Sequence, residues 1–322
     1  MVVVFMIKIR KIGIIGAGHV GSHCAFAMML HGLCDEITLV DINEGKSVSQ
    51  ALDCMDMSCI LPHRIRVKSG TVEELANMDI IIISVGTIDN VYKDRLQEMG
   101  LSLELIKSFV PDIMKYGFNG YFVVITNPVD VVTYFVQKLS GLPYNRVIGT
   151  GTSLDSARLR RILSCELDID AKSIQGYMMG EHGDSQVGNF SNISLNGKKL
   201  FDLIEENPER YKDFDSENIE RKVIESGWDI YQGKESTEFG IACMCSEIVR
   251  GIFHDEKKIM ACSAYLDGEY GIHGIYAGVP VVLGKNGIEG ILKLSLSENE
   301  RKKLEISFET LKRYVHIGNK YF

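Results

Sequence analysis

No window of this 322-residue chain approaches the ~18–20 uninterrupted apolar residues that a membrane helix requires, so a helical span is excluded. The apolar start, Met1 to Ile7, is short, has no basic leader and runs straight into Lys8, Arg10 and Lys11. It reads as neither signal peptide nor span. The second methionine, Met6, leaves two readings open, a misassigned upstream start or an added strand. No basic stripe exists, and the formal charge of −8 is spread rather than gathered in a tail, which favours solubility and argues against a nucleic-acid partner. None of the eight cysteines stands in Cys-x-x-Cys spacing, and a chain this long needs no covalent staples. They read as reduced thiols, hence a cytoplasmic protein. No internal repeat or low-complexity tract is present.

What is there is enough apolar residue, 45%, to fill two domains of ordinary size. Through residue 150 short β-branched runs (Lys11–Ile15, Ile37–Val40, Arg64–Val67, Asp79–Val85, Tyr121–Thr126, Arg146–Ile148) alternate with helical patterns at Val20–Leu30, Lys46–Cys59, Leu101–Tyr116 and Val129–Leu139. Such alternation predicts a doubly wound parallel sheet covered on both faces. After Gly151 the pattern turns α+β. A helix is expected from about Thr152 to Glu166, a hairpin over Ile193–Leu200 with Asn196-Gly197 at its turn, antiparallel strands Ile259–Leu266 and Gly278–Leu283, and an amphipathic helix Glu298–Arg313. The polar stretch Glu205–Glu220 reads as a loose surface insertion. The division is thus 1–150 and 151–322.

Gly16, Gly18 and Gly21 form Gly-x-Gly-x-x-Gly, whose glycines allow a tight turn, close backbone approach to a pyrophosphate and close helix packing. A structural turn is the bland alternative. Here the motif follows a strand, opens a helix, and has Asp41 at the end of the next strand, where a carboxylate accepts from adenosine-ribose hydroxyls and repels the 2′-phosphate of NADP. His182, between Gly180 and Gly183, is a candidate proton donor, and Asp155 a carboxylate that would fix its tautomer. Arg158, three residues after Asp155, shares its helical face and offers a planar fork for a carboxylate; a surface ion pair is the plainer reading. Arg95 and Asn127 follow strands at the carboxyl edge, where open α/β sheets bind ligands. His19 and His23 share helical spacing without a third ligand, so no metal site is expected.

On Gly-Ala-Gly-His-Val-Gly, Ile-Thr-Asn-Pro-Val-Asp, Val-Ile-Gly-Thr-Gly-Thr-Ser-Leu-Asp-Ser-Ala-Arg and Gly-Glu-His-Gly-Asp-Ser-Gln, the chain resembles the lactate/malate dehydrogenase family over roughly residues 8 to 285, closest to L-lactate and L-2-hydroxyisocaproate types. The resemblance implies an NAD-binding Rossmann domain followed by an α+β catalytic domain. It makes His182 the proton donor/acceptor, Asp155 its partner, Arg158 the carboxylate anchor, Arg95 the carbonyl-polarising arginine, and Asn127 an amide for substrate and cofactor. Gly16, Gly18, His19, Val20, Gly21, Asp41 and Gly86 fall on or within the NAD-contacting segments, with Lys46 joining them. It also implies a homodimer or homotetramer. In some bacterial relatives an arginine and a histidine bind fructose 1,6-bisphosphate; Arg160 matches the first and Gln175 replaces the second, so little activation is expected.

Two departures bear on substrate. Counting back from Arg95 without a gap puts Asp89 where lactate enzymes carry glutamine and malate enzymes arginine, and Glu235 falls where a threonine lines the lactate pocket. The expected activity is reversible reduction of a 2-oxo acid to the L-2-hydroxy acid, with hydride from NADH. Malate dehydrogenase is the rival, disfavoured because no arginine stands near Asp89. An NAD-dependent glycosidase would need a metal-binding Cys/His set that is missing near His182. A redox-inactive NAD-binding protein of the same fold is the rival from another class, opposed by the intact Asp155, Arg158 and His182.

Overall fold

The computed structural model describes residues 8–86 and 95–322, with the side chains of residues 95–97 left out. The first half runs β1 (Lys11–Ile15), α1 (His19–Leu30), β2 (Glu36–Val40), α2 (Glu44–Met57), β3 (Arg66–Ser69), β4 (Ile80–Ile83), α3 (Arg95–Lys115), β5 (Tyr121–Val124), α4 (Val129–Ser140) and β6 (Val147–Gly149). These six strands are parallel and lie in the order β6-β5-β4-β1-β2-β3. That is the doubly wound order, with the chain direction of winding reversing between β1 and β4. The central strand β4 is four isoleucines, all wholly buried, as expected for a strand covered on both faces.

The second half runs α5 (Ser153–Leu167), β7 (Ile174–Gln175), β8 (Met178–Met179), β9 (Val187–Gly188), β10 (Ser194–Leu195), β11 (Lys198–Lys199), α6 (Leu200–Glu206), α7 (Ser216–Lys234), α8 (Phe239–Phe253), β12 (Lys258–Asp267), β13 (His273–Gly284), β14 (Gly287–Ile291) and α9 (Glu298–Gly318). The antiparallel strands β12, β13 and β14 do not form a separate sheet. They extend the parallel one beyond β6 through the pair Ser263↔Gly149, giving nine strands in all. The β10–β11 hairpin turns on Asn196 and Gly197, both with positive φ (51° and 94°), the backbone that a two-residue turn of this kind demands.

One apolar core spans both halves, and a smaller one joins α5, α6 and α7. This second core corrects the expectation of a loose insertion at 205–220. Tyr211 is buried in it, Arg210 donates to the Leu167 carbonyl at 3.2 Å, and Asp215 caps α7 through the amides of Glu217 and Asn218. A segment rich in charge by composition is pinned by one aromatic side chain and a helix cap. No helix among the described residues is long and apolar enough to cross a membrane.

Candidate active site

Every residue singled out on the parallel sheet follows the carboxyl end of a strand: Gly16 and Gly18 after β1, Asp41 after β2, Gly86 after β4, Asn127 after β5, and Asp155 in the first turn of the helix after β6. They gather where β1 parts from β4, because a strand order that reverses leaves a crevice at the point of reversal.

The three glycines carry different duties. Gly16 turns at φ +94°, and a Cβ there would sit 2.3 Å from the Ser84 carbonyl oxygen; a Cβ on Gly21 would lie 1.9 Å from the Gly16 oxygen. These two close the loop against β4 and α1. Gly18 has ordinary backbone angles, and among the described residues a Cβ there would meet only the Lys46 ammonium, at 3.9 Å. Open space at a helix N-terminus, bordered by a cation, is what a pyrophosphate requires. Among the described residues, Gly86 likewise faces nothing within 4 Å. Asp41 does more than its sequence position suggested: Oδ2 accepts from the Ala17 amide at 2.7 Å and Oδ1 from the Asn43 amide at 2.9 Å. The carboxylate therefore holds the glycine loop, and each oxygen keeps a lone pair for a ribose hydroxyl. These residues fit a dinucleotide. His19 is exposed, with Nδ1 3.8 Å from Glu238, and Val20 is half-buried beside it. No group of three or more metal-ligating side chains occurs among the described residues.

On the other side of the crevice, Asp155 is wholly buried and shared. Its Oδ2 lies 2.6 Å from His182 Nδ1, and its Oδ1 accepts from Arg158 Nη1 at 2.9 Å. Burial alone would raise the Asp155 pKa, but the His182 charge and hydrogen bond, with Arg158 beside them, overcome it and hold the carboxyl below its ordinary value. Because a carboxylate only accepts, the 2.6 Å contact places a proton on Nδ1 and leaves Nε2 to serve as the reacting nitrogen. The imidazole is about a quarter exposed (26%), whereas Arg158 is nearly buried (9%). Arg158 packs on α7 at Gly227, where a Cβ would come within 3.6 Å of the guanidinium nitrogens.

The segment carrying His182 is fixed from three directions that the sequence did not signal. Gly180 exchanges two main-chain hydrogen bonds with Gly278 of β13, each 2.8 Å. The Glu181 amide donates to Ser307 Oγ of α9 at 2.8 Å, and the His182 amide to Asp130 Oδ2 of α4 at 2.8 Å. The Glu181 side chain takes the Ser185 hydroxyl.

The remaining candidates are distributed differently. Arg95 opens α3, and the Asp89 assignment lies outside the described residues. Asn127 is exposed after β5, its carbonyl accepting from Ser102 Oγ at 2.7 Å and its peptide to Pro128 cis. Pro128 is the N-cap of α4. Glu235 is the exposed C-cap of α7, with φ +62°, and Thr237 stands two residues on, half-buried. Arg160 donates to the Ser156 carbonyl, and Gln175 is exposed in β7.

Residues 10–149 match the lactate/malate dehydrogenase NAD binding domain, and residues 152–321 match the lactate/malate dehydrogenase alpha/beta C-terminal domain. An L-lactate dehydrogenase of Fusobacterium nucleatum subsp. nucleatum is 53% identical over 316 residues, covering 98% of this chain and 99% of its own. The minor L-lactate dehydrogenase from Enterococcus mundtii, solved in its ligands-bound form, superimposes with a TM-score of 0.91 at 34% identity, over 96% of this chain and 98% of its own. Malate dehydrogenase from Cryptosporidium parvum does so with a TM-score of 0.90 at 29% identity, over 97% of this chain and 100% of its own. Overall shape does not separate the two substrates. With its glycine loop, its shared Asp155 and both halves matched, the chain belongs to the lactate/malate dehydrogenase family.

Proposed function

We propose that the protein is an NAD-dependent L-2-hydroxy-acid dehydrogenase that interconverts pyruvate, or a 2-oxo acid with another short neutral side chain, and the L-2-hydroxy acid. The observation carrying this reading is the buried Asp155, which binds the imidazole of His182 with one oxygen and the guanidinium of Arg158 with the other. A proton carrier and a carboxylate anchor are thereby set in fixed relation, and both are needed to reduce a carbonyl beside a carboxylate.

NADH, when bound along Gly16, Gly18, Val20 and Asp41, supplies the hydride for the 2-carbon. His182 gives its Nε2 proton to the carbonyl oxygen as that oxygen becomes the hydroxyl, and takes it back in the reverse direction. Asp155 keeps the imidazolium in one orientation and offsets its charge. Arg158 holds the substrate carboxylate through the N–H groups that Asp155 does not use. Arg95 is assigned to the polarised carbonyl and Asn127 to substrate and cofactor, on the family resemblance. Lys46, beside the open space at Gly18, is assigned to the pyrophosphate. We place Thr237, rather than the exposed Glu235, at the far end of the pocket, and assign Asp89 to rejecting a second carboxylate. The naming of a relative at 53% identity as an L-lactate dehydrogenase supports this choice.

NADH oxidation over a panel of 2-oxo acids tests the reading. Pyruvate or a branched 2-oxo acid should turn over fastest and oxaloacetate poorly, since an unscreened carboxylate pair is repulsive in a closed site. Faster turnover of oxaloacetate would transfer the protein to the malate branch, and no turnover of any 2-oxo acid would remove the enzymatic reading. We place the enzyme in the cytoplasm, where all eight thiols stay free, and take it to be a homodimer or homotetramer.

A further inference from the structure

Asp130 is a wholly buried carboxylate that the chemistry above does not use. It lies in the first turn of α4 and spans three elements: Oδ2 accepts the His182 main-chain N–H at 2.8 Å, and Oδ1 accepts the Ser263 hydroxyl of β12 at 2.6 Å. Burying a charge is costly, and burial does push the Asp130 pKa up to about 6, even though the Ser263 and His182 hydrogen bonds oppose the rise. An uncharged acceptor would hold a main-chain amide at lower cost. What a carboxylate adds is a negative charge beside His182, at its main-chain amide rather than at the ring nitrogen that Asp155 holds.

Resting on the dehydrogenase reading, we propose that Asp130 is a positioning residue for His182. Asp155 fixes the ring and Asp130 fixes the main chain beneath it, so the histidine is bracketed by two buried carboxylates and its reacting nitrogen is set relative to the carbonyl. Among the described residues, the charged groups around the histidine are Asp155 and Arg158 from α5, Asp130 from α4 and Glu181 from its own segment. The last is engaged by Ser185. Of the neighbouring strands, β13 bonds this segment through Gly278, and β12 bonds Asp130 through Ser263. Asp130 accepts the His182 main-chain N–H directly.

Two variants separate the duties. Asp130→Asn keeps an acceptor oxygen and removes the charge; Asp130→Ala removes both. The first readout is the titration of the His182 ring, followed by NMR in the apo protein, which requires no turnover. In Asp130→Asn the midpoint should fall, because the imidazolium loses a neighbouring anion, while the exposed His273 is unmoved. The second readout is kinetics on whichever 2-oxo acid the wild type reduces fastest. Asp130→Ala should lose about 10²-fold in kcat, the order expected for a reacting group displaced by an ångström. KM for the 2-oxo acid and the NADH dissociation constant should stay within about twofold, since Arg158 and the glycine loop are held by other residues. Asp130→Asn should recover most of that kcat. An unmoved ring midpoint in Asp130→Asn overturns the proposal, as does loss of NADH affinity in step with kcat in Asp130→Ala, which marks a merely structural residue. Should Asp130→Ala fail to fold, the ring titration in the isosteric asparagine variant decides. A wild type that reduces no 2-oxo acid overturns the dehydrogenase reading instead and leaves the ring titration to judge Asp130.

Discussion

Replacing Asp155 with asparagine changes one oxygen into an amide nitrogen at a point where two donors must be met, His182 Nδ1 at 2.6 Å and Arg158 Nη1 at 2.9 Å. If the amide oxygen turns to the ring, the NH₂ group faces a guanidinium that also donates. If it turns to Arg158, the NH₂ group faces Nδ1, which can then only accept, so the ring cannot be held as an imidazolium. Either arrangement should lower kcat/KM for the 2-oxo acid by about 10²–10⁴, or about 3–5 kcal/mol, the scale of lost proton-transfer help. NADH binding should be unaffected, because the glycine loop and Asp41 lie across the crevice. The assay is initial-rate NADH oxidation by ultraviolet absorbance, with NADH affinity from fluorescence. The stability effect has a definite sign. Asp155 sits below its ordinary 3.8, so its stabilisation is present above that value and is lost as pH falls through the lower folded one. The variant should melt lower than wild type at neutral pH, and the gap should close on acidification below about pH 4. A kcat/KM within about threefold of wild type would refute the shared-carboxylate reasoning, because that corresponds to well under 1.4 kcal/mol.

Arg158→Lys should lose most of its catalytic efficiency, with the loss chiefly in KM for the 2-oxo acid, since an ammonium cannot donate in a planar pair; unchanged kinetics would remove the anchor role. Gly18→Ala should fold normally and weaken NADH by about 10–100-fold, the effect of overfilling a fitted space by about 1–3 kcal/mol, as read by fluorescence titration. Gly21→Ala should instead lower the melting temperature, because its Cβ would meet the Gly16 oxygen at 1.9 Å. Asp130 titrates in the opposite sense to Asp155. With a folded value of about 6 against an ordinary 3.8, its ionised form costs up to about 3 kcal/mol above pH 6, and that cost is relieved as pH falls through 6. Asp130→Asn should accordingly melt higher than wild type at pH 8, with the difference shrinking below about pH 5 in a calorimetric series. Fructose 1,6-bisphosphate should leave the substrate half-saturation nearly unchanged, because Gln175 supplies no charge to join Arg160.

The features that a sequence shows are those whose cause is local. The Asp155–Arg158 spacing is a helical one, and α5 forms it; the glycine loop and the Asn196-Gly197 turn are set by backbone angles that only a few residues tolerate. The support of the His182 segment was not visible, because its partners arrive from afar: Asp130 is 52 residues away, Ser307 of the Glu181 contact is 126, and Ser263 is 133 from Asp130. No periodicity links such residues. Asp130 stood in view at the end of Ile-Thr-Asn-Pro-Val-Asp without a role, since a buried acid and an exposed one look alike in a sequence. Glu235 illustrates a different limit: a count along the chain does not show that α7 ends there in a left-handed cap with the side chain exposed. The segment 205–220 misled because composition weighs charge, whereas one buried Tyr211 decides whether it packs.

The sharing of one sheet and one core by both halves bears on how the molecule is made. Helix α4 buries almost its whole circumference, and the elements that cover it include β13 and α9, with Phe322 stacked on Phe135 at 4.6 Å. A ribosome delivers those elements last. The nascent nucleotide-binding half therefore emerges with the apolar flank of α4 bare for the time needed to add some 150–190 residues, about 10–40 seconds at ordinary rates of synthesis. During that interval it is a target for holding chaperones, and the two halves expressed apart should aggregate, whereas co-expressed they should reassemble.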